Sequence, residues 1–317
     1  MWWKKRPINW QKNSDKLAHF NQMIHKTVLL HESIEKLNLK PGAIYFDGTL
    51  GGAGHSSKVC SDFGGTVRII ATDMDSLAIS NAKEKLSGFG CKADLILSNY
   101  RHIDTVLTNL GVEKVDGILF DLGLSSDQLD ASGRGFTFRN DEPLFMTFSA
   151  DEQKVNAKVI LNNWQEETIA DILYGYSDER YSRRIARAIV EARKLKPIDT
   201  TFQLVEIIRN AVPKAYQRGK THFATKTFQA LRIAVNDEIT ALKEGMSKGW
   251  SFLKNGGRMA IISFHSVEDR EVKNFFRDKV KSGEGKHINK KPIIPTDEEI
   301  QQNPRSRSAK LRVIEKI

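Results

Sequence analysis

The stretch Ala43-Ile44-Tyr45-Phe46-Asp47-Gly48-Thr49-Leu50-Gly51-Gly52-Ala53-Gly54-His55 decides the fold of this chain. Its first half is an apolar run typical of a buried strand, and four glycines among residues 48–54 predict a tight turn before a helix from Ser56 onward. Glycines let backbone N–H groups approach a ligand closely, and the N-terminus of a helix attracts a carboxylate or a phosphate. The stretch therefore predicts a strand-loop-helix unit that binds a nucleotide-like ligand.

Polar residues end the next predicted strands. Asp73 follows the strand-like residues 67–72, and Asp121 follows residues 116–120. Because the ligands of an open α/β sheet bind outside the carboxyl ends of its strands, we expect both carboxylates to face a crevice beside the glycine loop. The acid after the second strand suits a ribose diol. Tyr100, at the end of a third predicted strand, either leans on an adenine ring or packs at the rim.

The glycine loop alone does not identify the ligand. Gly52-Ala53-Gly54 is followed by His55 and two serines, which is not the G-x-G-x-x-G pattern of dinucleotide-binding proteins. S-adenosylmethionine and a nicotinamide dinucleotide are both compatible with this loop. A turn with a purely structural role is the third alternative.

The order of the predicted elements indicates an α/β fold. Strands alternate with helices as far as Asp121, which predicts a doubly wound, Rossmann-like parallel sheet. The sheet resumes at residues 258–264, and the alternation in residues 311–317 predicts a last strand that pairs antiparallel. Methyltransferase sheets have such a strand, and plain dinucleotide-binding sheets lack it. We also expect one long helix over 225–243 and a polar loop over 279–302.

Periodicity divides the chain into three parts. Residues 23–132 and 223–317 carry the strand-helix pattern and are predicted to form one domain. Residues 133–222 have helical periodicity without strand-like runs, which predicts an inserted helical subdomain. Residues 1–22 are a basic extension with three tryptophans, typical either of an RNA-contacting arm or of a frayed terminus.

Composition and charge narrow the class of protein. The net charge of +10 favours a polyanionic partner, although a merely soluble basic surface is the alternative. No run of about 18 apolar residues predicts a membrane span, and the N-terminus lacks the apolar core of a secretory signal. Cys60 and Cys91 lie far apart and outside any metal-binding pattern, so we expect neither a disulfide nor a zinc site. These features favour the cytoplasm, with the mitochondrial matrix as the alternative.

The excess positive charge is concentrated in one segment. Residues 140–179 have a net charge of −7, whereas residues 180–226 have one of +9. Six cations lie on the polar side of a predicted amphipathic helix or in the glycine-containing loop after it, where they could contact RNA phosphates. A solvated helix face is the alternative. The six are Arg183, Arg187, Lys194, Lys214, Arg218 and Lys220.

Several unusual blocks follow one another along the chain. They are residues 25–32, 47–55, 116–128, 134–136, 183–190, 227–230, 262–270 and 303–305. In this order they resemble the RsmH or MraW family of small-subunit ribosomal RNA methyltransferases, which methylate the exocyclic N4 of a cytidine. The resemblance covers the chain from about His25 to the C-terminus. It implies a class I methyltransferase fold, an inserted helical substrate-recognition domain, S-adenosylmethionine as cofactor and ribosomal RNA as substrate.

The resemblance also implies a set of site residues. Seven positions match its cofactor contacts, and the strand ends and the glycine loop indicate most of them independently. Asp121 also occupies the strand end where amine methyltransferases place an acceptor for the amino group, so we expect it either to be catalytic or to serve the cofactor. No metal is expected. The seven positions are Ala53, Gly54, His55, Asp73, Tyr100, Asp121 and Gln128.

One segment departs from the family pattern. Where the family typically has Leu-Asp-Met-Arg-Met-Asp, this chain has Leu144-Phe145-Met146-Thr147-Phe148-Ser149. Two acids and one arginine are therefore missing from this loop.

Together these features predict an enzyme that transfers a methyl group from S-adenosylmethionine to the N4 of a specific cytidine in small-subunit, 16S-type ribosomal RNA. The predicted partner is that RNA or the assembled small subunit. A membrane partner is not expected, and a homodimer is compatible with the sequence. One alternative is an NAD-dependent oxidoreductase, which would need a binding site for a pyrophosphate. The other is a non-catalytic ribosome-assembly factor that retains a cofactor pocket.

Overall fold

The computed structural model describes residues 26–123, 133–148 and 155–317. The predicted extension over 1–22, Gln128 and Ser149 lie outside these ranges. The described chain forms a seven-stranded sheet with helices around it. Its strands are β1 Ile44–Asp47, β2 Arg68–Asp73, β3 Lys92–Leu97, β4 Val115–Asp121, β5 Leu253–Ser263, β6 Gly285–His287 and β7 Lys310–Lys316.

The described α-helices fall into three groups along the chain, and none is long and apolar enough to cross a membrane. Before β4 lie α1 Leu30–Leu37, α2 Gly54–Phe63, α3 Ser76–Ser87 and α4 Ile103–Asn109. Between β4 and β5 lie α5 Ala157–Asn163, α6 Glu166–Ser177, α7 Ser182–Leu195, α8 Thr201–Ala211, α9 Lys214–Gln217, α10 Thr225–Asn236 and α11 Glu238–Phe252. After β5 lie α12 Ser266–Lys281 and α13 Asp297–Gln302.

The sheet confirms the predicted doubly wound α/β fold. Its strand order is β3-β2-β1-β4-β5-β7-β6, with β1 to β5 parallel. β7 pairs antiparallel with both β5 and β6, so the expected antiparallel closure of a class I methyltransferase sheet is present. Helices cover both faces, which buries most residues of the central strands. The carboxyl ends of β2, β1, β4 and β5 therefore lie side by side at one edge.

Helices α5 to α10, which lie between β4 and β5, pack around a hydrophobic core of their own. This core contains Leu161, Ile185 and Leu204, and it is separate from the cores on the two faces of the sheet. Phe228 and Leu231 of α10 belong to the same core. The packing agrees with an inserted helical subdomain, whose limits of 133–222 stay a prediction.

Two predicted elements are wrong. The single helix expected over 225–243 is broken at Asp237, which has a left-handed backbone with φ 50° and separates α10 from α11. Aspartate tolerates this conformation better than most residues, and Arg101 Nη2 lies 2.7 Å from its carboxylate. The loop expected over 279–302 contains β6, which pairs with β7, and α13, whose first turn Thr296 caps.

The expectation that the two cysteines stay apart is also wrong. Cys60 in α2 and Cys91 just before β3 form a disulfide, with Cα atoms 5.8 Å apart. Both residues pack in the core on the same face of the sheet, where α2 lies near β2 and β3. Sequence spacing does not show this contact, because it depends on how the helix packs against the sheet.

Candidate cofactor and catalytic site

The glycine loop between β1 and α2 is shaped by two glycines with different constraints. Gly51 has φ +47°, and a Cβ added there would have only the Thr49 carbonyl oxygen nearby, at 3.9 Å. A Cβ at Gly54 would collide with the hydroxyl of Thr27. Ala53 also has a left-handed backbone with φ 55°, although it is fully buried and carries a side chain. Helix α2 begins at Gly54, two residues before the position predicted from the sequence.

Asp73 at the end of β2 turns its carboxylate toward this loop. One oxygen accepts a hydrogen bond from the Gly51 N–H at 2.8 Å, and the other accepts from the Asp75 N–H at 2.9 Å. Burial raises the pKa of Asp73 even though these two hydrogen bonds oppose it. Because each carboxylate oxygen has two lone pairs, each retains acceptor capacity for a ligand hydroxyl.

Asp121 at the end of β4 faces the same loop from the other side of β1. Its N–H donates to the Thr49 hydroxyl at 2.6 Å, and its Oδ2 lies 4.0 Å from His55 Nδ1. Its Oδ1 accepts a long hydrogen bond from the Gly123 N–H at 3.3 Å. Burial raises the pKa of Asp121 to about 7, and the charges of Asp47 and Glu268 add to the increase. The structure therefore brings Asp73, Asp121 and residues 51–55 together.

Asp47 is a third carboxylate at this edge, and sequence reasoning assigned it no role. It is 1% exposed, and it accepts hydrogen bonds from Ser56 Oγ at 2.6 Å and from the Thr49 N–H at 3.2 Å. Burial raises its pKa to about 6 despite these bonds. Its position at the end of β1, like those of Asp73 and Asp121 on their strands, was the signal that could have identified it.

Tyr100 lies in a 3₁₀ turn after β3 rather than in the strand itself. Its ring centroid is 4.8 Å from that of Phe120, and a Cβ on Gly245 of α11 would lie 2.7 Å from the ring. Its Cβ lies close to Gly48, so the residue borders the glycine loop while its ring packs against the sheet core. Burial raises the pKa of the Tyr100 hydroxyl. Contact with an adenine ring stays a prediction.

A buried ionic network follows the end of β5. Both carboxylate oxygens of Glu238 accept hydrogen bonds from Arg232 at 2.8 Å. Glu268 is 2% exposed; its Oε2 accepts from the Phe264 and His265 N–H groups, and its Oε1 lies 3.0 Å from His265 Nε2. Burial raises the pKa of Glu238, and Arg232 opposes the increase.

The side chains of Glu238, His265 and Glu268 are close enough together to surround a metal ion. Arg232 already occupies both oxygens of Glu238, and the β5 turn occupies Glu268. The Arg232 guanidinium supplies one positive charge beside these two carboxylates. The sequence prediction of a site without metal stays a prediction. Sequence reasoning did not identify the network, since its members come from three different elements.

Arg134 connects the inserted helices to the cofactor side of the sheet. Its Nη2 lies 3.4 Å from Asp75 Oδ2, two residues after Asp73. Its Nη1 donates to the carbonyl oxygens of Thr147 and Phe148 at 3.2 and 2.7 Å. The segment that departs from the family pattern is thus held beside the predicted ribose-binding acid, where Phe148 stacks on Phe136 at 5.5 Å.

The six predicted RNA-binding cations are all exposed on the inserted helices and the loop after α9. Two of them face acids: Arg187 Nε lies 3.4 Å from Glu166, and Lys194 Nζ lies 2.6 Å from Glu191. Exposed pairs of this kind contribute little to stability. Gln128, the seventh predicted cofactor contact, lies outside the described residues.

Comparisons with known proteins agree on one family. The model of the MraW methylase family matches residues 22–317. Ribosomal RNA small subunit methyltransferase H from Brevibacillus brevis is 46% identical over 308 residues, covering 92% of this chain and 98% of the relative. The proteins of that name from Heliobacterium modesticaldum and Acetivibrio thermocellus are each 45% identical and cover 92% of this chain, with 98% and 99% of their own lengths matched.

Proposed function

This chain belongs to the MraW methylase family, and we propose that it transfers a methyl group from S-adenosylmethionine to the exocyclic N4 of a cytidine in small-subunit ribosomal RNA. The names of its relatives support the substrate class. The main observation behind this proposal is that Asp73 and Asp121, at the ends of the two strands that flank β1, lie around one glycine loop.

The residues around the loop fit S-adenosylmethionine. Asp73 retains acceptor capacity on both oxygens for the two hydroxyls of a ribose. The N-terminus of α2, formed by Ala53, Gly54 and His55, suits the carboxylate of the methionine part. Tyr100 is proposed to border the adenine, and Gln128, outside the described residues, stays a predicted cofactor contact. When bound, S-adenosylmethionine supplies a methyl group activated by the positive sulfur.

Asp121 is proposed to act on the amino group of the cytosine. The lone pair of this nitrogen is delocalised into the ring, so the nitrogen is a poor nucleophile. A carboxylate that accepts a hydrogen bond from the amine localises the lone pair and can take the proton that the nitrogen loses. A pKa of about 7 suits both tasks, because the group is largely ionised at a slightly basic pH and still binds a proton.

The inserted helices are proposed to recognise the RNA. The cytosine must leave its stack to reach Asp121, which costs least in a single-stranded or looped segment. Arg183, Lys214, Arg218 and Lys220 are exposed on this part of the chain, and with Arg187 and Lys194 they are proposed to contact phosphates. We further propose that the protein works in the cytoplasm on ribosomal RNA or the assembled small subunit. A homodimer stays a prediction.

The reaction is tested with small ribosomal subunits and with free small-subunit RNA. Each is incubated with the protein and S-adenosylmethionine labelled in the methyl group, and the RNA is then digested to nucleosides. Labelled N4-methylcytidine is expected, and the Asp121→Asn variant, which keeps the shape of the side chain, should yield far less. Absence of the product from both substrates would leave the non-catalytic assembly factor as the better explanation. Titration calorimetry with S-adenosylmethionine and with NAD tests the cofactor separately.

A further inference from the structure

An exposed cluster of arginine and tyrosine lies between α6 and α9, and we call it the stacking platform. The Arg180 guanidinium lies over the rings of Tyr181 and Tyr216, 4.8 and 4.9 Å from their centroids. The two rings meet edge to face at 5.0 Å, and Arg184 covers Tyr181 at 5.8 Å. Both arginines are exposed.

A buried acid holds the stacking platform in place. Glu179 is 0% exposed, and its two oxygens accept from the Tyr216 hydroxyl at 2.6 Å and from the Tyr181 N–H at 2.9 Å. The carboxylate thereby holds the ring of Tyr216 through its hydroxyl and the backbone of Tyr181 through its N–H. The rings are pre-organised, so a ligand that stacks here does not have to order them first.

The stacking platform lies next to the catalytic edge of the sheet. Asp178, two residues before Arg180, accepts a hydrogen bond at 3.4 Å from the hydroxyl of Ser266, which starts α12 directly after the end of β5. The carbonyl oxygen of Asp178 also accepts from Lys226 Nζ at 2.8 Å. A polymer with one residue beside Asp121 would therefore run close to these side chains.

The positive charge of the stacking platform is not compensated by ion pairs, because its buried acid Glu179 bonds to the tyrosines and not to the arginines. Among the described residues, neither Arg180 nor Arg184 forms an ion pair with an Asp or Glu side chain. Arg209 on α8 offers a contrast, because it also covers an aromatic ring, Phe223 at 5.7 Å, but pairs with Glu206 at 2.6 Å. Planar groups with uncompensated positive charge suit a ligand that is both anionic and rich in flat rings.

We propose that the stacking platform binds a single-stranded RNA segment adjacent to the target cytidine. One base stacks on the outer face of the Arg180 guanidinium, and Arg184 contacts a phosphate. The proposal rests on the proposed function for the identity of the polymer, and it adds the place where the strand is held. Duplex RNA is a poorer occupant, because its bases are already stacked on each other.

Fluorescence anisotropy with a short labelled single-stranded RNA tests this on the full chain. The Arg180→Lys variant keeps the charge and loses the flat surface, and we expect it to bind about tenfold more weakly with an unchanged salt slope. Arg184→Ala removes the proposed phosphate contact, so its salt slope should fall by about 0.7, the share of one such contact on a single strand. The matched control Arg209→Lys should bind like the wild type. Equal affinities of Arg180→Lys and Arg209→Lys would overturn the proposal.

Two further measurements separate this proposal from its surroundings. Tyr181→Leu removes the ring beneath Arg180, and we expect a loss similar to that of Arg180→Lys; if this variant does not fold, the exposed Arg180→Lys decides alone. A hairpin duplex should show a smaller difference between wild type and Arg180→Lys than the single strand does, and an equal difference would overturn the stacking mode. Methylation by the wild type is measured separately. If Arg180→Lys binds RNA more weakly but the wild type forms no N4-methylcytidine, the proposed reaction is refuted and the stacking platform is supported.

Discussion

Carboxylates at two parts of the same sheet differ in whether a cation pairs with them. At the carboxyl ends of β1, β2 and β4, no Lys or Arg of the described residues forms an ion pair with Asp47, Asp73 or Asp121. On the β7 side, Asp269 of α12 accepts hydrogen bonds from Arg312 at 2.7 Å and Lys310 at 3.2 Å. Burial acts to raise the pKa of Asp269, yet these cations hold it below its usual range.

The difference separates structural charges from functional ones. A buried carboxylate without a cation is costly to ionise, and the fold gains no stability from it. Such groups persist where a ligand or a reaction uses them. The paired Asp269 instead joins α12 to β7 and stabilises the sheet. Four experiments test whether unpaired and paired charges differ in this way.

The largest effect is expected for Asp121→Asn. The amide cannot take a proton from the amino group, so we expect methyl transfer to fall by about a hundredfold to a thousandfold. Because the variant also removes a buried negative charge, its free energy of unfolding above pH 7 should equal or exceed that of the wild type. Single-turnover transfer and thermal melting measure the two quantities. A variant that loses stability and keeps its activity would contradict the contrast.

The pH dependence of stability should follow the two kinds of carboxylate. In the folded protein the pKa of Asp121 is about 7 and that of Asp47 about 6, both above the ordinary aspartate value of 3.8. The folded state therefore binds more protons than the unfolded state between about pH 4 and 7, and stability should fall as the pH rises through this range. Each group contributes at most about 1.4 kcal/mol per pH unit.

The contribution of Asp269 to the pH dependence of stability should have the opposite sign. Its lowered pKa gives stability that is present above about pH 4 and is lost as the pH falls through its folded pKa. Urea denaturation at a series of pH values measures the sum of these effects. In Asp121→Asn the fall between pH 6 and 7 should become shallower; an unchanged curve would show that Asp121 does not titrate there.

A smaller effect is expected for Asp269→Asn. The side chain and its partner Arg312 are each 13% exposed, and the substitution leaves that guanidinium with a weaker acceptor. We expect the free energy of unfolding to fall by about 2 kcal/mol, with a change in methyl transfer of less than about twofold. Chemical denaturation and the transfer assay provide the comparison with Asp121→Asn. A loss of activity that exceeds the loss of stability would place Asp269 among the functional groups.

The smallest effect concerns the cations of α7. Arg183 forms no ion pair with the described residues, whereas Lys194 lies 2.6 Å from Glu191. If uncompensated charge indicates ligand contact, Arg183→Glu should weaken RNA binding more than Lys194→Glu does, by a difference of about threefold. Affinity for S-adenosylmethionine should stay unchanged in both variants, and calorimetry checks it. Equal losses of RNA affinity would show that the neighbouring acid does not matter.

The sequence predicted the parts of the site that follow from one local rule. Glycines after an apolar run indicated the loop, and acids at strand ends indicated Asp73 and Asp121, because parallel strands present their carboxyl ends together. The antiparallel β7 was also predictable from its alternation. These inferences need only short windows and a known architecture.

The missed features depend on contacts between distant segments. The Arg232–Glu238–Glu268 network joins α10, α11 and α12, and of these three residues only Glu268 lies in a block that resembles the family. The break at Asp237 is hidden by continuous helical periodicity on both sides, and Arg101, which pairs with this residue, lies 136 positions away. Glu179 contributed only to the net charge of residues 140–179, although it is buried and bonds to two tyrosines.

The bond between Cys60 and Cys91 encloses β2 and α3 in a covalent ring that includes Asp73. A protease that cuts once in this ring, for example after the exposed Lys83, produces two fragments that remain joined through sulfur. On a gel without reductant the nicked protein should run near its full mass of 35.9 kDa, and thiol treatment should split it into two bands. The carboxylate proposed to hold the ribose would thus stay attached to both halves of the molecule after the backbone beside it is cut.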